Sequence, residues 1–460
     1  MKNSYRKYLL LFTASFSLTA CVTDELSLSN ISMPKLWSVE TPKDTVKIED
    51  AKYLKSWWKR FNDPVLDTLV DKVLSDSPDR LIAEARVLEA RGIRRTARSV
   101  LFPQVGASAS LTREDYDVQG SGLYPETLHD ARFDASYELD IFGRNRRSFR
   151  AADEGLLALQ EEYHDVSLTL IAEVMRSYID FREAQLQKAI ADKNLKSQEK
   201  TLSLIQELKR VGEAPLLDVE RANNLVNSTR SSIPEFNRAE KNARLRISIL
   251  TGELPEKLVD QLDNQASIPG AELLPVMVSP ASVIAQRPDV RAAAHNFAEA
   301  TDLKEAAVSN LFPSFSISSF YGVTDSVISG GTNIWSAAIG TAVSLIDFGR
   351  IEGQIDAASA REMQAYQLYR KTIIEAVVEV ETALNDYSNI SESQNSLQQA
   401  YISADKALEL SQTLYKEGAV SFLDVLDAQR SANNAEAEYL RAKASQSESL
   451  VRLFKALGVY

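Results

Sequence analysis

The sequence predicts a mainly α-helical tandem-repeat protomer that carries four membrane β-strands, and three observations support that prediction. The 460-residue chain is two copies of one plan: Leu101-Phe102-Pro103 recurs as Leu311-Phe312-Pro313, Phe142-Gly143-Arg144 as Phe348-Gly349-Arg350, and Leu217-Asp218-Val219 as Leu423-Asp424-Val425. Ser77-Pro78-Asp79 likewise returns as Arg287-Pro288-Asp289, and Thr251-Gly252 as Leu457-Gly458. The offset is 210 residues up to the Leu-Phe-Pro element and 206 from the Phe-Gly-Arg element onward. That period is far too long for a small solenoid unit, so a whole structural half is duplicated. The second observation is a pair of strand hairpins in corresponding places, apolar on one face and polar or small on the other. The third is a long, proline-free segment whose apolar residues step by three and four.

Taken in order, residues 1–20 form a signal peptide: Lys2, Arg6 and Lys7 precede an apolar stretch from Tyr8 to Phe16, the layout of a secretory leader and too short to span a bilayer. The leader closes on Leu18-Thr19-Ala20-Cys21, which resembles a bacterial lipobox and implies a covalent lipid on Cys21. Val22, rather than Asp, follows the cysteine, which in bacterial lipoproteins goes with outer-membrane sorting. Cys21 is the chain's only cysteine, so no internal disulfide and no thiolate metal cluster can form. The formal charge is -12, and removing the three leader cations takes it to -15; such a surface is a poor partner for nucleic acid. With 44% apolar residues the composition is ordinary for a folded protein, and no run of eighteen apolar residues offers a membrane helix.

Residues 21–77 read as an N-terminal segment, irregular until Trp57-Trp58, that wraps the outside. Repeat 1 spans 78–250. From Pro78 to Leu101 the pattern is helical, with Leu81, Ala85, Leu88 and Gly92 on one face, and Pro103 stops it. In hairpin 104–141, Val105, Ala107, Ala109 and Leu111 make one apolar strand face, and Phe133, Ala135, Tyr137 and Leu139 another. Repeat 2 spans 288–460, and its hairpin 314–347 does the same with Phe315, Ile317, Tyr321 and Val323, then Trp335, Ala337, Ile339, Val343 and Leu345. Strands of about ten residues with one apolar face are the signature of a transmembrane β-barrel. Four strands cannot close one, and an open edge in lipid leaves backbone groups unsatisfied. The barrel must therefore be shared between chains, and strand arithmetic alone allows eight, twelve or more strands.

The helical seam runs through Tyr366, Tyr369, Ile373, Ala376, Val380, Ala383, Tyr387, Ile390, Gln394, Leu397, Tyr401, Ala404, Leu408, Ser411 and Tyr415. Only Gln394 and Ser411 interrupt it, which implies coiled-coil packing. Repeat 1 keeps a looser version through Leu156, Leu159, Tyr163, Val166 and Leu170. Residues 145–211 and 351–417 thus make helices of roughly 100 Å at 1.5 Å per residue. Gly212 and Gly418 end them through a left-handed conformation. Return helices follow from Pro215 to Leu250 and from Ser421 to Ala456. Leading and return helices stack end to end beside each long one, with the glycine turns at the far tip from the hairpins. Between the repeats, 251–287 carries Pro255, Pro269, Pro275 and Pro280 and reads as a connector with little regular structure.

The lipobox, Trp57-Trp58 with Phe61-x-Asp63-Pro64-x-Leu66, the Leu-Phe-Pro and Phe-Gly-Arg elements, Arg287-Pro288-Asp289-Val290-Arg291 and Leu423-Asp424-Val425-Leu426-Asp427 together resemble the TolC-like outer-membrane efflux family, in its NodT/OprM-type lipoprotein branch. The likeness spans essentially the whole chain. It implies a homotrimer whose twelve strands close one β-barrel in the bacterial outer membrane, continued into the periplasm by a coiled-coil α-helical barrel. It further implies the exit duct of a tripartite efflux pump, a passive gated channel fed by an inner-membrane transporter through a periplasmic adaptor protein, with outer-membrane lipid around it.

The same resemblance maps Asp424, Asp427 and Tyr415 onto the family's periplasmic gate, while the gate arginine of some members falls on Val420 here. A ring of acidic side chains favours cations; the competing role for these aspartates is capping the return helix. Asp427 is matched in repeat 1 by Arg221, so only the second hairpin keeps the double acid. Gly212, Gly418, Val420 and Phe422, with Val211 and Leu216, form the expected adaptor-docking tips, since exposed apolar residues at a turn invite a partner. Arg144, Arg146, Arg147 and Arg150 crowd a helix start whose dipole they oppose, which calls for either anionic groups at the membrane boundary or a solvated face.

No phosphate loop, nucleophile elbow or paired-histidine metal motif occurs, and His129, His164 and His295 fall in different elements, so neither an enzyme nor a cofactor beyond the Cys21 lipid is expected. The competing functions are a structural periplasmic coiled-coil lipoprotein, which leaves the hairpins without purpose, and the outer-membrane component of a type I protein secretion system.

Overall fold

A computed structural model describes Trp37 and residues 56–117, 123–262, 266–271, 279–326 and 330–458; the leader, Cys21 and most of the segment 21–77 lie outside the described residues. The segment from Trp57 to Asp76 is anchored by local chemistry. Asp63 accepts hydrogen bonds from the backbone N–H groups of Val65 (2.9 Å) and Leu66 (3.1 Å), and Pro64 takes the first helical position, where no N–H is needed. Helix α1, Pro64–Asp76, follows. The preceding 3-10 turn, Trp57–Phe61, buries Trp57, Trp58 and Phe61, with Trp57 stacked on Phe454 at 4.9 Å. Tyr178 donates to the second Asp63 oxygen at 2.8 Å. The Trp-Trp and Asp-Pro motifs are therefore the device that pins this segment to the middle of the molecule. Leu66, Leu69, Val70 and Val73 of α1 are all fully buried, each worth about 1.5–3 kcal/mol of transfer free energy.

Repeat 1 then runs α2 (Pro78–Ser99), β1 (Gln104–Asp117), β2 (Leu123–Leu139), α3 (Arg144–Arg210) and α4 (Leu216–Thr251). The connector is more regular than its prolines suggest: it holds α5 (Pro255–Leu262) and α6 (Pro280–Gln286), each with a proline at its first position, where proline starts a helix rather than breaking one. Repeat 2 runs α7 (Pro288–Val308), a 3-10 turn at Ser309–Leu311, β3 (Ser314–Ser326), β4 (Thr332–Ala342), α8 (Arg350–Lys416) and α9 (Phe422–Ala456). α3 and α8 each have 67 residues, and α4 continues through Pro234 without ending.

The duplication holds at the level of backbone angles. Gly143 and Gly349 have φ of 83° and 85°, Gly212 and Gly418 of 84° and 72°, and Gly252 and Gly458 of 69° each. It also holds in register: Gln104 lies opposite Ser136 in the first hairpin, and their counterparts Ser314 and Ala342 lie opposite each other in the second. The four strands form one antiparallel sheet in the order β1-β2-β3-β4. β4 stops at Ala342, short of Val343 and Leu345, which the alternation had placed in the strand. β2 reaches Leu139 because β3 pairs with it there, opposite Phe315; beyond Ala342, β4 has no such neighbour.

α3 packs against α1, α2, α4, α7 and α9, whereas α8 packs against α6, α7 and α9. The largest apolar cluster joins α1, the middle of α3 (Ile171, Met175, Ile179) and the ends of α4 and α9 (Ile247, Leu453, Phe454). All fifteen seam positions of α8 are buried or half-buried, and Tyr401 stacks on Tyr439 of α9 at 5.8 Å. On α2 the apolar face picked from the sequence is not the one the chain uses. Ala83, Val87 and Ala90 are buried, while Leu81, Ala85, Leu88 and Gly92 are exposed. Small residues let α2 lie close to α3, and its larger apolar residues are left pointing away.

Candidate functional site

The sheet has two chemically distinct faces. Ala107, Phe133, Tyr321 and Trp335 stand in one row across the four strands, and the larger three are 65%, 58% and 74% exposed. The other face carries Asp130, Arg132 and Asp134, with Arg132 3.2 Å from Asp134 and 3.8 Å from Asp130, and Ser108 donating to Asp134 at 2.9 Å. A sheet with an exposed aromatic face and an ion-paired face suits a wall between lipid and water. His129 lies in β2 opposite Leu111. Among the described residues, no helix is long and apolar enough to cross a membrane.

Where the strands meet the long helices, three of the four arginines of this cluster find protein partners, while Arg150 is exposed. Arg144 donates to Glu138 at 2.6 and 2.7 Å, Arg146 to Asp140 at 3.1 Å, and Arg147 to Asp302 at 2.9 Å and to Glu305. Asp140 also caps α3, accepting from the backbone N–H of Asn145 (3.0 Å) and Arg146 (2.9 Å). Asp347 does the same for α8 through Gly349 and Ile351, both at 3.1 Å. The sequence reading missed these two caps, although an acid just before Phe-Gly-Arg in both repeats signals them. Phe142 stacks on Phe312 at 4.7 Å, joining the two repeats at the base of the sheet.

At the far ends, Gly212 and Gly418 turn the chain. The N–H of Glu213 reaches the carbonyl of Leu208 at 2.8 Å, and that of Ala419 the carbonyl of Leu414 at 2.9 Å, so both tips close with the six-to-one bond of a Schellman motif. The two tips share one small core of Ile205, Val219, Leu225, Phe422, Val425 and Leu426, with Tyr415 packed against it. Phe422 is 5% exposed and meets the Tyr415 ring at 5.7 Å, so it is structural core and leaves the expected docking tips. Val420 is half-buried, and Gly212, Gly418, Val211 and Leu216 are exposed.

Asp424 forms a capping box with Ser421: the backbone N–H of Ser421 donates to its carboxylate at 2.8 Å and the Ser421 hydroxyl at 2.6 Å, while Ser421 Oγ accepts from the Asp424 N–H at 3.4 Å. These bonds hold the Asp424 carboxyl below its ordinary range. Asp427, one turn further on, is exposed. In the first hairpin Asp218 lies 3.4 Å from Arg221. Burial, and then the charge of Asp218, raise the Tyr415 phenol, so the tyrosine of the second tip faces the acid of the first. His295 pairs with Glu154 at 2.7 Å, and among the described residues no group of His, Cys, Asp and Glu could hold a metal.

The family described as outer membrane efflux protein matches residues 69–253 and 280–459, one block for each repeat. The pyoverdine export outer membrane protein OpmQ of Pseudomonas aeruginosa is 28% identical over 98% of this chain and 96% of its own length. The toluene efflux pump outer membrane protein TtgF of Pseudomonas putida is 30% identical over 88% and 85%. Among solved structures, the outer-membrane channel OprN superposes with a TM-score of 0.83 at 29% identity, covering 93% of this chain and 99% of that one. The fold is that of the TolC-like trimeric channels, in which tandem-repeat protomers share a β-barrel continued by a helical barrel. On sequence and on structure alike, the chain belongs to the outer membrane efflux protein family.

Proposed function

We propose that three copies of this chain form the exit duct of a tripartite efflux pump, anchored by a lipid on Cys21 and fed by an inner-membrane transporter through a periplasmic adaptor protein. Family membership puts the protein in the bacterial outer membrane and in efflux. The observation that carries the assembly is the sheet: its aromatic face is exposed and, among the described residues, both of its edges are open, an arrangement that is stable in lipid only when other copies complete the ring. Twelve strands from three chains do so, and the 67-residue helices extend the duct by about 100 Å into the periplasm. The ion-paired strand face then lines a water-filled passage.

In this reading Gly212 and Gly418, with Val420, Val211 and Leu216, dock the adaptor, and Asp424, Asp427 and Tyr415 narrow the periplasmic mouth. A pyoverdine exporter and a toluene pump share this plan, so the duct accepts what the inner-membrane transporter delivers. Gly418→Leu adds a branched side chain at a φ of 72°, where only glycine is at ease, on a tip with open space around it. Export in a duct-deleted strain should be lost while the trimer persists in unheated gels; full export with this variant removes the docking assignment. Cys21→Ala should abolish incorporation of labelled palmitate, and continued labelling would move the lipid elsewhere.

A further inference from the structure

Below the sheet, repeat 1 carries a cluster of arginines that no acid answers. On α2, Arg80, Glu84, Val87, Arg91, Arg95 and Arg98 follow at steps of three and four and so share one side of the helix. Two contacts fix where that side sits. Arg80 donates to Ser167 of α3 at 3.2 Å, and Arg94, at the edge of the stripe, pairs with Asp153 of α3 and covers the Phe149 ring at 5.2 Å. Asp153 and Ser167 lie on a stripe of α3 that starts with Arg146 and Arg150 and runs on through Ile171 and Met175 to Tyr178, which meets Asp63 at the start of α1. The arginines therefore occupy the side of α3 that α1 covers further down. Arg144, about 200° around the helix from Arg146, reaches instead to Glu138, on the ion-paired strand face.

Arg91, Arg98 and Arg150 are exposed, and among the described residues no ion pair includes them. A solvated face explains them poorly, because the chain as a whole stands at -12 and its other half inverts the pattern. The repeat-2 counterparts of Arg91 and Arg98 are Thr301 and Val308, and those of Arg146 and Arg150 are Glu352 and Asp356. Helix electrostatics does not explain the group either: the end of α2 favours Arg98, but the start of α3 opposes Arg150. The surroundings supply the missing partner. Arg98 lies 5.9 Å over the ring of Phe102, which is 54% exposed, and Val105, 74% exposed, opens the apolar strand face just beyond. Apolar surface above and unanswered guanidinium groups below is the order met at the edge of a bilayer.

We propose that Arg91, Arg98 and Arg150 bind the phosphates of anionic phospholipid in the periplasmic leaflet, with phosphatidylglycerol as the representative headgroup. This rests on the outer-membrane duct above and adds a lipid preference to it. The headgroup zone is about 5–8 Å deep on each side, and the two helical turns from Arg98 to Arg91 span about 10 Å, a distance that a long arginine stem shortens by reaching toward the lipid. The guanidinium fork matches a phosphate with paired hydrogen bonds. In a trimer the collar has three basic sectors, one per copy, alternating with the acidic sectors of Glu352 and Asp356.

The experiment uses the full-length protein in neutral detergent, titrated with phosphatidylglycerol or with phosphatidylcholine of the same acyl chains, and counts bound lipid by native mass spectrometry. Phosphatidylglycerol should bind about a hundredfold more tightly, at about fivefold for each of three arginines. Arg91→Gln, Arg98→Gln and Arg150→Gln together should remove that preference, lysine at the same three positions should keep most of it, and Arg86→Gln, exposed on another side of α2, should leave it unchanged. Equal binding of the two lipids, or a preference that survives the triple glutamine variant, overturns the collar. Displacement of the lipid by excess inorganic phosphate overturns it too, in favour of a small-anion site. The titration needs neither cargo nor adaptor, so each of these failures leaves the duct standing. A parent protein that is monomeric by mass yet keeps the preference overturns the assembly and not the lipid contact.

Discussion

The two 67-residue helices come from one plan and live in different surroundings. α3 buries 22 of its residues and α8 only 8, because α3 is enclosed by five helices and α8 by three, one of them the seven-residue α6. Their sequence patterns run the opposite way: α8 carries the strict three-four seam and α3 the looser one. A strict seam marks a helix with one buried stripe and free flanks. Around Leu168–Phe181, α3 is apolar on nearly every side because nearly every side is covered. Regularity of pattern reports how one-sided the burial is, not how deep.

The sharpest way to break this contrast is to truncate matched side chains. Ile171 of α3 is fully buried among α1, α4 and α9 residues, and Ile374 of α8 is 50% exposed. Ile171→Ala should cost about 2–5 kcal/mol, the range for an isoleucine emptied from a packed core, and show as a lower unfolding temperature and poor yield. Ile374→Ala should cost less than about 0.5 kcal/mol unless another copy covers it. Equal losses in thermal unfolding of the detergent-solubilised protein would mean that α8 is as enclosed as α3 in the assembled duct.

The repeat, the long helices and the glycine turns were legible because each rests on local chemistry that survives any context: a left-handed glycine, a proline stop, a three-four stripe. What escaped depends on neighbours. Leu81 and Val87 look alike on a helical wheel, and only the position of α3 decides which is buried. Phe422 at a turn reads as a docking residue until the first hairpin's tip covers it. Asp140 and Asp347 act at different spacings before the same motif, reaching Asn145 and Arg146 in one case, Gly349 and Ile351 in the other, so alignment by identity hides a shared job. The double acid was readable in the sequence, and so was the capping of the return helix, since Ser421-x-x-Asp424 has the spacing of a capping box.

A smaller effect separates the same two surroundings by pH. Glu448 of α9 faces Asp180 and Arg176 of α3 and Arg452 on its own helix; burial first, then Asp180, push its carboxyl up to about 7. Its repeat-1 counterpart is the exposed Asn242. A raised acid pKa gives stability that is complete below the ordinary carboxylate value near 4.3 and is lost as pH rises through the folded value. Thermal stability should therefore fall between about pH 5 and pH 8, by on the order of 1 kcal/mol after solvent screening. Glu448→Gln should flatten that slope; an unchanged slope would clear Glu448 of responsibility.

The smallest change in stability and the most informative change in function belong to the tips. The first hairpin answers Asp218 with Arg221, at 3.4 Å; the second carries Asp424 and Asp427 one turn apart on α9. Asp424 already has work as a cap. Its lowered pKa means the cap contributes at any pH above the ordinary carboxylate value and fails only as pH drops through the folded one. Asp427 carries no such duty, so Asp427→Ala should leave unfolding unchanged, raise single-channel conductance in planar bilayers and weaken block by multivalent cations, as removing part of an acidic ring does. Asp424→Ala should show the same electrical change with a slightly less stable helix start, and the double variant the sum of both. Should Asp427→Ala leave conductance and block untouched while Asp424→Ala alters only stability, the double acid is a helix-start feature and the narrowing of the mouth lies with Tyr415.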